Sequence, residues 1–254
     1  MDTSELIRVG PKSDGGYVLS KKLVETSKHL ISFGICDNFD FEKNFQKLNN
    51  SSIDAYDHSI DNKYWVNHLK KNLVKLFSLK ILTPKKLFNI FKYFEFLIFF
   101  KKKKNNFYLK KIGNEVDCLN FEQCLSNTIN DDIFLNIDIE GSEYDFIDKI
   151  NLFSDKITGF VIEFHDFNKN IKKIENFIIE LKNFKIIHIH GNNYAKINSN
   201  GNPDVIEITF SNKKLLTNSL KKNNYIYPIK GFDFPNKKGS FFNRKNDTPL
   251  NFEV

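Results

Sequence analysis

The sequence predicts an α/β fold with a mostly parallel sheet and helices on both faces, and three observations carry that reading. Short apolar runs of strand length, rich in Ile, Phe and Val, alternate with stretches of helical spacing. The run Leu30 to Phe33 ends at Gly34, where backbone can approach a ligand before a helix begins. Several such runs end in carboxylates, imidazoles or amides, and wound sheets gather ligands at the carboxyl ends of their strands. A chain of 254 residues fits one such domain with a substantial core. We read 1–254 as a single domain carrying a helical insertion at about 61–111.

Charge narrows the function less than the fold. A formal charge of +7 suits acidic partners such as nucleic acid, phosphorylated metabolites or an anionic membrane surface. Lysine, asparagine, isoleucine and phenylalanine are all abundant, however, and biased codon usage alone produces that pattern. Cys36, Cys118 and Cys124 include no CxxC pair, so neither a disulfide framework nor a cysteine-based zinc site is suggested. The opening MDTSELIRVG has no basic start followed by an apolar core, the pattern of a secretory signal, and the expected compartment is the cytoplasm.

Taken in order, Pro11 and Gly15-Gly16 mark turns before the short apolar element Tyr17-Val18-Leu19, and such a turn can wrap over a ligand. His29 to Asp40 reads as strand, glycine turn and helix, with helical spacing from Phe41 to Leu48. It has neither the GxGxxG fingerprint nor the GK[ST] of a phosphate loop. Ser52 to Asp57 reads as a second strand with an acidic end, about twenty residues after Gly34, where a carboxylate accepts both ribose hydroxyls of a nucleotide. Asp61 to Lys111 breaks the rhythm with helical runs Tyr64 to Leu79 and Lys85 to Phe100, separated by the helix start Thr83-Pro84. Its apolar run Phe96 to Phe100 is far below the ~20 residues a membrane span needs. A packed helical insertion with a solvated Lys101 to Lys104 end is expected, with an interfacial helix or a lid as alternatives. Gly113-Asn114 is read as closing a short strand, and Asn120 to Leu125 as helical.

The centre of the chain is Phe134 to Asp145, FLNIDIEGSEYD. A strand over Phe134 to Ile139 sets Asn136, Asp138 and Glu140 on one face. Carboxylates are rarely buried without a partner, so a cation, a sugar hydroxyl or a cofactor is expected near Asp138 and Glu140. The plainer alternative makes Glu140 a cap for a helix opening at Ser142. Further strands are read over Lys156 to Phe167, with Glu163 and His165 on one face, and over Lys185 to His190, with His188 and His190 on one face before Gly191-Asn192-Asn193. Asp204 to Phe210 is the last. Asp138, Glu140, Glu163, His165, His190 and Asn192 would then meet at one edge of the sheet, beside Gly34 and Asp57.

Gly34 with Asp37, Asp57 at the second strand end, and above all IDIEGSEYD from Ile137 to Asp145 resemble the FkbM-type S-adenosylmethionine (SAM)-dependent methyltransferases. The DGGY turn at Asp14 to Tyr17, IEFHDF at Ile162 to Phe167, HGNN at His190 to Asn193 and FDFPN at Phe232 to Asn236 are similar to a bacterial glycan-associated branch of that family. The FGICDN segment is poorer in glycine than the family's usual cofactor loop. The resemblance implies a Rossmann-like class I methyltransferase fold with a seven-stranded sheet. It places the cofactor along Phe33, Gly34, Asp37 and Asp57, with Asp138 near the sulfonium and the acceptor. It implies O-methylation of a sugar, nucleotide-sugar or other capsule or surface-polysaccharide precursor, with Tyr17, Glu140 and Asn192 on the substrate. His165 is the first choice of base and His190 the second. A divalent cation such as magnesium on Asp138 and Glu163, with a histidine as third ligand, is the alternative means of activating the hydroxyl. The rival readings are methylation of nucleic acid, for which no binding module is visible, and a non-catalytic scaffold of glycan assembly touching a membrane through Lys85 to Lys104.

Overall fold

The computed structural model describes residues 3–78, 84–126, 128, 130–199, 201–216 and 227–236. Seven strands form the central sheet: β3 (His29–Phe33), β4 (Ser52–Tyr56), β5 (Asn105–Tyr108), β6 (Ile133–Ile137), β7 (Ile157–Phe164), β8 (Phe184–Gly191) and β9 (Ile206–Asn212). Their order is β5-β4-β3-β6-β7-β9-β8. The five strands from β5 to β7 run parallel, and β9 is antiparallel to both β7 and β8. This is the Rossmann-like, mostly parallel, seven-stranded sheet expected from the sequence. A separate hairpin, β1 (Leu6–Val9) with β2 (Tyr17–Ser20), precedes it.

Central strands of a sheet covered on both faces should be apolar throughout, and β3, β6 and β7 are buried at every position. Alternation then feeds two cores. Ile31, Phe33, Leu135, Ile137 and Phe160 face α5 (Phe121–Ser126) and α6 (Phe167–Glu180). Leu30, Ile53, Ala55, Phe134 and Val161 face α1 (Lys21–Thr26) and α2 (Asp40–Asn49) on the other side. Helix α2 begins with Asp40 and Glu42, whose charge suits a helix N-terminus. It ends at Asn50 in the left-handed conformation, a common helix stop.

Three expectations need correction. The strand expected over Phe134 to Ile139 ends at Ile137, because the chain turns through Glu140 (φ 54°) and Gly141 (φ 104°), conformations that cannot continue an extended strand. The expected split of faces holds along the strand: Leu135, Ile137 and Ile139 pack into the core under α5 and α6, while Asn136 turns its amide the other way, under α2, to Ser32 Oγ (3.1 Å) and Glu42 Oε1 (3.2 Å). The helix expected from Ser142 is two short 3-10 segments, Ser142–Asp145 and Ile147–Phe153, and the residue preceding the first is Gly141 with no side-chain cap, so Glu140 is no cap.

The stretch 61–111 is also more than an insertion. Helices α3 (Asn62–Ser78) and α4 (Pro84–Phe100) lead from β4 to its parallel neighbour β5, and parallel neighbours require such a crossover. Thr83, half of the expected helix start, and Leu79 lie outside the described residues. Phe96 and Phe99 of α4 are buried against Phe39, and Trp65 of α3 packs on Tyr93 and Phe96 with ring centroids 5.1 Å apart in both cases. Among the described residues no helix is long and apolar enough to cross a membrane.

Candidate active site

The parallel strands end together on one rim. At the end of β3, Gly34 adopts φ 80°, and a Cβ there would lie 1.6 Å from the backbone carbonyl oxygen of Asp138. Only glycine permits this approach of the β3 and β6 ends. Two backbone bonds fix it: Gly34 N–H donates to Tyr56 O (2.9 Å) and Asp138 N–H donates to Phe33 O (3.0 Å).

A cavity of about 210 Å³ opens above this junction, lined among others by Gly34, Asp57, Ile112, Asp138, Glu140 and Ser142. Asp57 is buried, and its carboxylate already holds both flanking loops. Oδ2 accepts from Cys36 N–H (2.7 Å), and Oδ1 from the N–H (2.6 Å) and hydroxyl (2.7 Å) of Ser59. Phe33 lends the rim only its backbone, since its ring is buried among Tyr56, Phe121 and Phe146. Asp37 is directed elsewhere: it meets Lys92 of α4 at 3.2 Å and His68 of α3 at 3.9 Å and does not line this cavity. The expected strand near Gly113-Asn114 is an isolated bridge, Ile112 with Leu119, which brings Ile112 to the cavity wall.

A second cavity, of about 370 Å³, adjoins the first, and Asp138 and Glu140 line both. Its other walls include Asp14, Glu163, His165, Asn192 and Asn236. Among the described residues no lysine or arginine lines it. His165 Nε2 stands 3.7 Å from Asp138 Oδ1 and 3.5 Å from Glu140 Oε2. On its other side Nδ1 lies 3.4 Å from Glu143 Oε1. Burial drags the His165 pKa down, but the carboxylates of Glu143, Glu163 and Glu140 outweigh it and push it up to about 8. Glu163, on β7, accepts a hydrogen bond from Asn192 Nδ2 (2.8 Å).

Crowded carboxylates in a half-dry cavity resist ionising. Burial, then Glu163 and Glu140, raises the pKa of Asp138 well above the usual carboxylate range. Burial and Glu207 raise that of Glu163, and burial raises that of Asp14. Tyr17 is buried behind them, and burial with the charges of Asp138 and Glu163 pushes its hydroxyl well up. His190 is not in the cavity wall: it is buried between β8 and β9, with Nδ1 3.0 Å from Glu207 Oε2. His188, its neighbour on β8, meets Asp233 at 3.0 Å.

Sequence reasoning passed over three groups that complete the site. Glu143 is fully buried and ties the turn to β7, accepting from Gly141 N–H (2.8 Å) and His165 N–H (2.8 Å). Asp14 enters from the hairpin turn, and Asn236 bridges it to Glu207 by donating from Nδ2 to Asp14 Oδ1 (3.1 Å) and Glu207 Oε1 (2.7 Å). Glu143 falls inside the IDIEGSEYD stretch, and Asp14 and Asn236 inside the DGGY and FDFPN segments, but Asp14 and Asn236 stand 222 positions apart and no local spacing announces their contact.

No protein-family model and no curated protein matches this chain. Among solved structures, an rRNA methylase from Streptococcus thermophilus is 11% identical, with TM-score 0.39, over 75% of this chain and 92% of that one. Precorrin-6y C5,15-methyltransferase from Geobacter metallireducens is 11% identical, with TM-score 0.39, over 76% and 86%. A proposed methyltransferase from Streptococcus mutans in complex with SAH is 11% identical, with TM-score 0.41, over 75% and 93%. Likeness at this level adds nothing to what the strand order already shows.

Proposed function

We propose that this chain is a SAM-dependent O-methyltransferase of the FkbM type, acting on a sugar, nucleotide-sugar or other capsule or surface-polysaccharide precursor. The observation that supports this reading is the pair of adjoining cavities that share Asp138 and Glu140. The first suits the cofactor. Gly34 lets the ends of β3 and β6 close on each other beneath it, Asp57 offers carboxylate oxygens to ribose hydroxyls, and Ile112 supplies an apolar wall for a base. SAM, when bound, supplies an electrophilic methyl group on a cationic sulfur, and that positive charge would offset the burial that holds Asp138 back from ionising, so that its carboxylate faces the sulfonium.

The second cavity suits the acceptor, with Asn192 and Glu140 as hydrogen-bonding wall groups and Tyr17 behind them. An alcohol attacks a methyl group only as its proton leaves. His165 presents Nε2 between Asp138 and Glu140, and its neutral form takes that proton, while Asp138 steers the hydroxyl. His190, paired with Glu207, serves to position β8. An acidic lining repels phosphate, so it is the neutral, hydroxyl-rich part of a phosphorylated or nucleotide-linked acceptor that enters, with the phosphate outside. A divalent cation such as magnesium on Asp138 and Glu163 would be a second means of acidifying the hydroxyl.

The test is incubation with labelled SAM, a panel of nucleotide-sugars and an oligonucleotide control, with and without chelator. Transfer to a sugar hydroxyl supports the proposal. Transfer to the oligonucleotide alone would favour nucleic-acid methylation and overturn it. A second reading, a scaffold in the cytoplasm that docks on the inner membrane face, draws on one observation: Phe91, Phe94 and Ile98 are exposed at helical spacing on α4, which runs into exposed Lys101, Lys102 and Lys103. Vesicle binding without SAM binding would favour it.

A further inference from the structure

We infer that Asp138, Glu163 and His165 form a binding site for a divalent first-row metal ion, with manganese or zinc preferred over magnesium. The inference draws its catalytic meaning from the methyltransferase reading, but its binding chemistry stands independently. One ligand atom from each residue lies within 4.8 Å of the other two. Two opposed bonds of roughly 2.2 Å span about 4.4 Å, so small side-chain rotations bring all three onto one ion.

The groups behind the three are those that orient metal ligands. A metal-bound histidine characteristically turns its other ring nitrogen to a carboxylate, and metal-bound carboxylates are themselves hydrogen-bonded. His165 Nε2 faces Asp138, while Nδ1 faces Glu143 at 3.4 Å, and Glu143 is fully buried and immobilised by two backbone N–H groups. Asn192 donates to Glu163 Oε1 at 2.8 Å.

An independent observation also asks for a ligand. Asn236 is 8% exposed and lines the same cavity, and its Oδ1 has no hydrogen-bond partner. The amide cannot be flipped to relieve this, since Nδ2 already serves Asp14 and Glu207, and a flip would set oxygen against two carboxylates. Oδ1 is itself enclosed, and a small shift of this side chain toward the cavity would let water on a bound ion donate to it. Imidazole among the donors favours manganese or zinc over magnesium, which prefers oxygen ligands and keeps its waters. With the ion bound, His165 is a ligand, and the acidity of the acceptor hydroxyl comes from the metal instead of from an imidazole base.

The test is calorimetric titration of the untagged, chelator-stripped chain with manganese, zinc and magnesium chlorides, alongside SAM binding to the same samples. One ion per chain is expected, with manganese at least tenfold tighter than magnesium. Glu163→Gln and His165→Gln should each weaken manganese binding at least tenfold, and Asn192→Ala by about 10- to 100-fold. Retained SAM binding in Glu163→Gln and Asn192→Ala shows that the variants fold, since neither residue lines the cofactor cavity. Manganese affinity unchanged in Glu163→Gln and His165→Gln, or no stoichiometric ion in the wild type, overturns the site. Manganese binding with these dependences but no SAM binding upholds the metal site and removes the methyltransferase reading.

Discussion

Gly34→Ala tests how the rim is built. The added Cβ would lie 1.6 Å from the carbonyl oxygen and 2.7 Å from the carbonyl carbon of Asp138, with Ile139 Cγ2 at 3.1 Å. These first two are backbone atoms and cannot rotate away. Opening the closest contact to the 3.0 Å floor moves the Asp138 carbonyl by 1.4 Å. A displacement of ~1 Å in a positioned group costs on the order of 100-fold in rate, or about 2.7 kcal/mol. Alanine at φ 80° adds ~1–2 kcal/mol of conformational cost, which lowers the melting temperature by roughly 2–8 °C in a domain of this size. The assays are SAM affinity by calorimetry and thermal melting by circular dichroism. An affinity within threefold of wild type together with an unchanged melt would refute the claim that the Gly34 and Asp138 backbones jointly shape the cofactor cavity.

Glu42 is buried beneath β3, accepts from Ser32 Oγ (2.6 Å), and has a second oxygen without a partner; burial raises its pKa above 4.5. A raised carboxyl pKa stabilises the fold below the unfolded value, and that contribution is lost as pH rises from about 4.5 through the folded value. Glu42→Gln should therefore raise the neutral-pH melting temperature and flatten its decline between pH 4.5 and 7; a lower melt at pH 7 would contradict this. Phe121 stacks on Phe146 at 4.7 Å and 5° and is 1% exposed, so Phe121→Ala should cost ~3–5 kcal/mol in denaturant unfolding. Asp138→Ala should abolish methyl transfer with a native circular dichroism spectrum, and wild-type turnover in that variant would remove Asp138 from the mechanism. Phe94→Glu should reduce sedimentation with anionic vesicles if α4 docks on lipid, and leave methyl transfer to a soluble acceptor unchanged.

The parts of this fold that local pattern encodes were legible. β3, β6 and β7 are rich in apolar residues because both faces are covered, and Gly34 marked the end of the first. The gathering of Asp138, Glu140, Glu163, His165 and Asn192 around one cavity could be expected from their places at strand ends. β5 was hidden because NNFY, an edge strand of four residues with only Asn105 buried, carries no apolar alternation. The end of β6 was misjudged because Ile139 extends the alternation two residues past Ile137, up to the left-handed turn at Glu140. Asp37 pointed away from the rim for a reason lodged in distant residues, Lys92 and His68, on helices whose docking no local spacing encodes. Glu143 fell within the helix expected from Ser142 and was given no role; it accepts from the backbone N–H of His165, 22 positions later and just past β7.

The most direct measurement is a crystal structure of the chain grown with S-adenosylhomocysteine. The ribose is expected against Asp57, the base beside Ile112 and the sulfur on the Asp138 side, facing the cavity that Glu163 and His165 line. Density for the compound anywhere else, or an unoccupied Gly34 cleft at saturating concentration, would contradict the assignment of the two cavities.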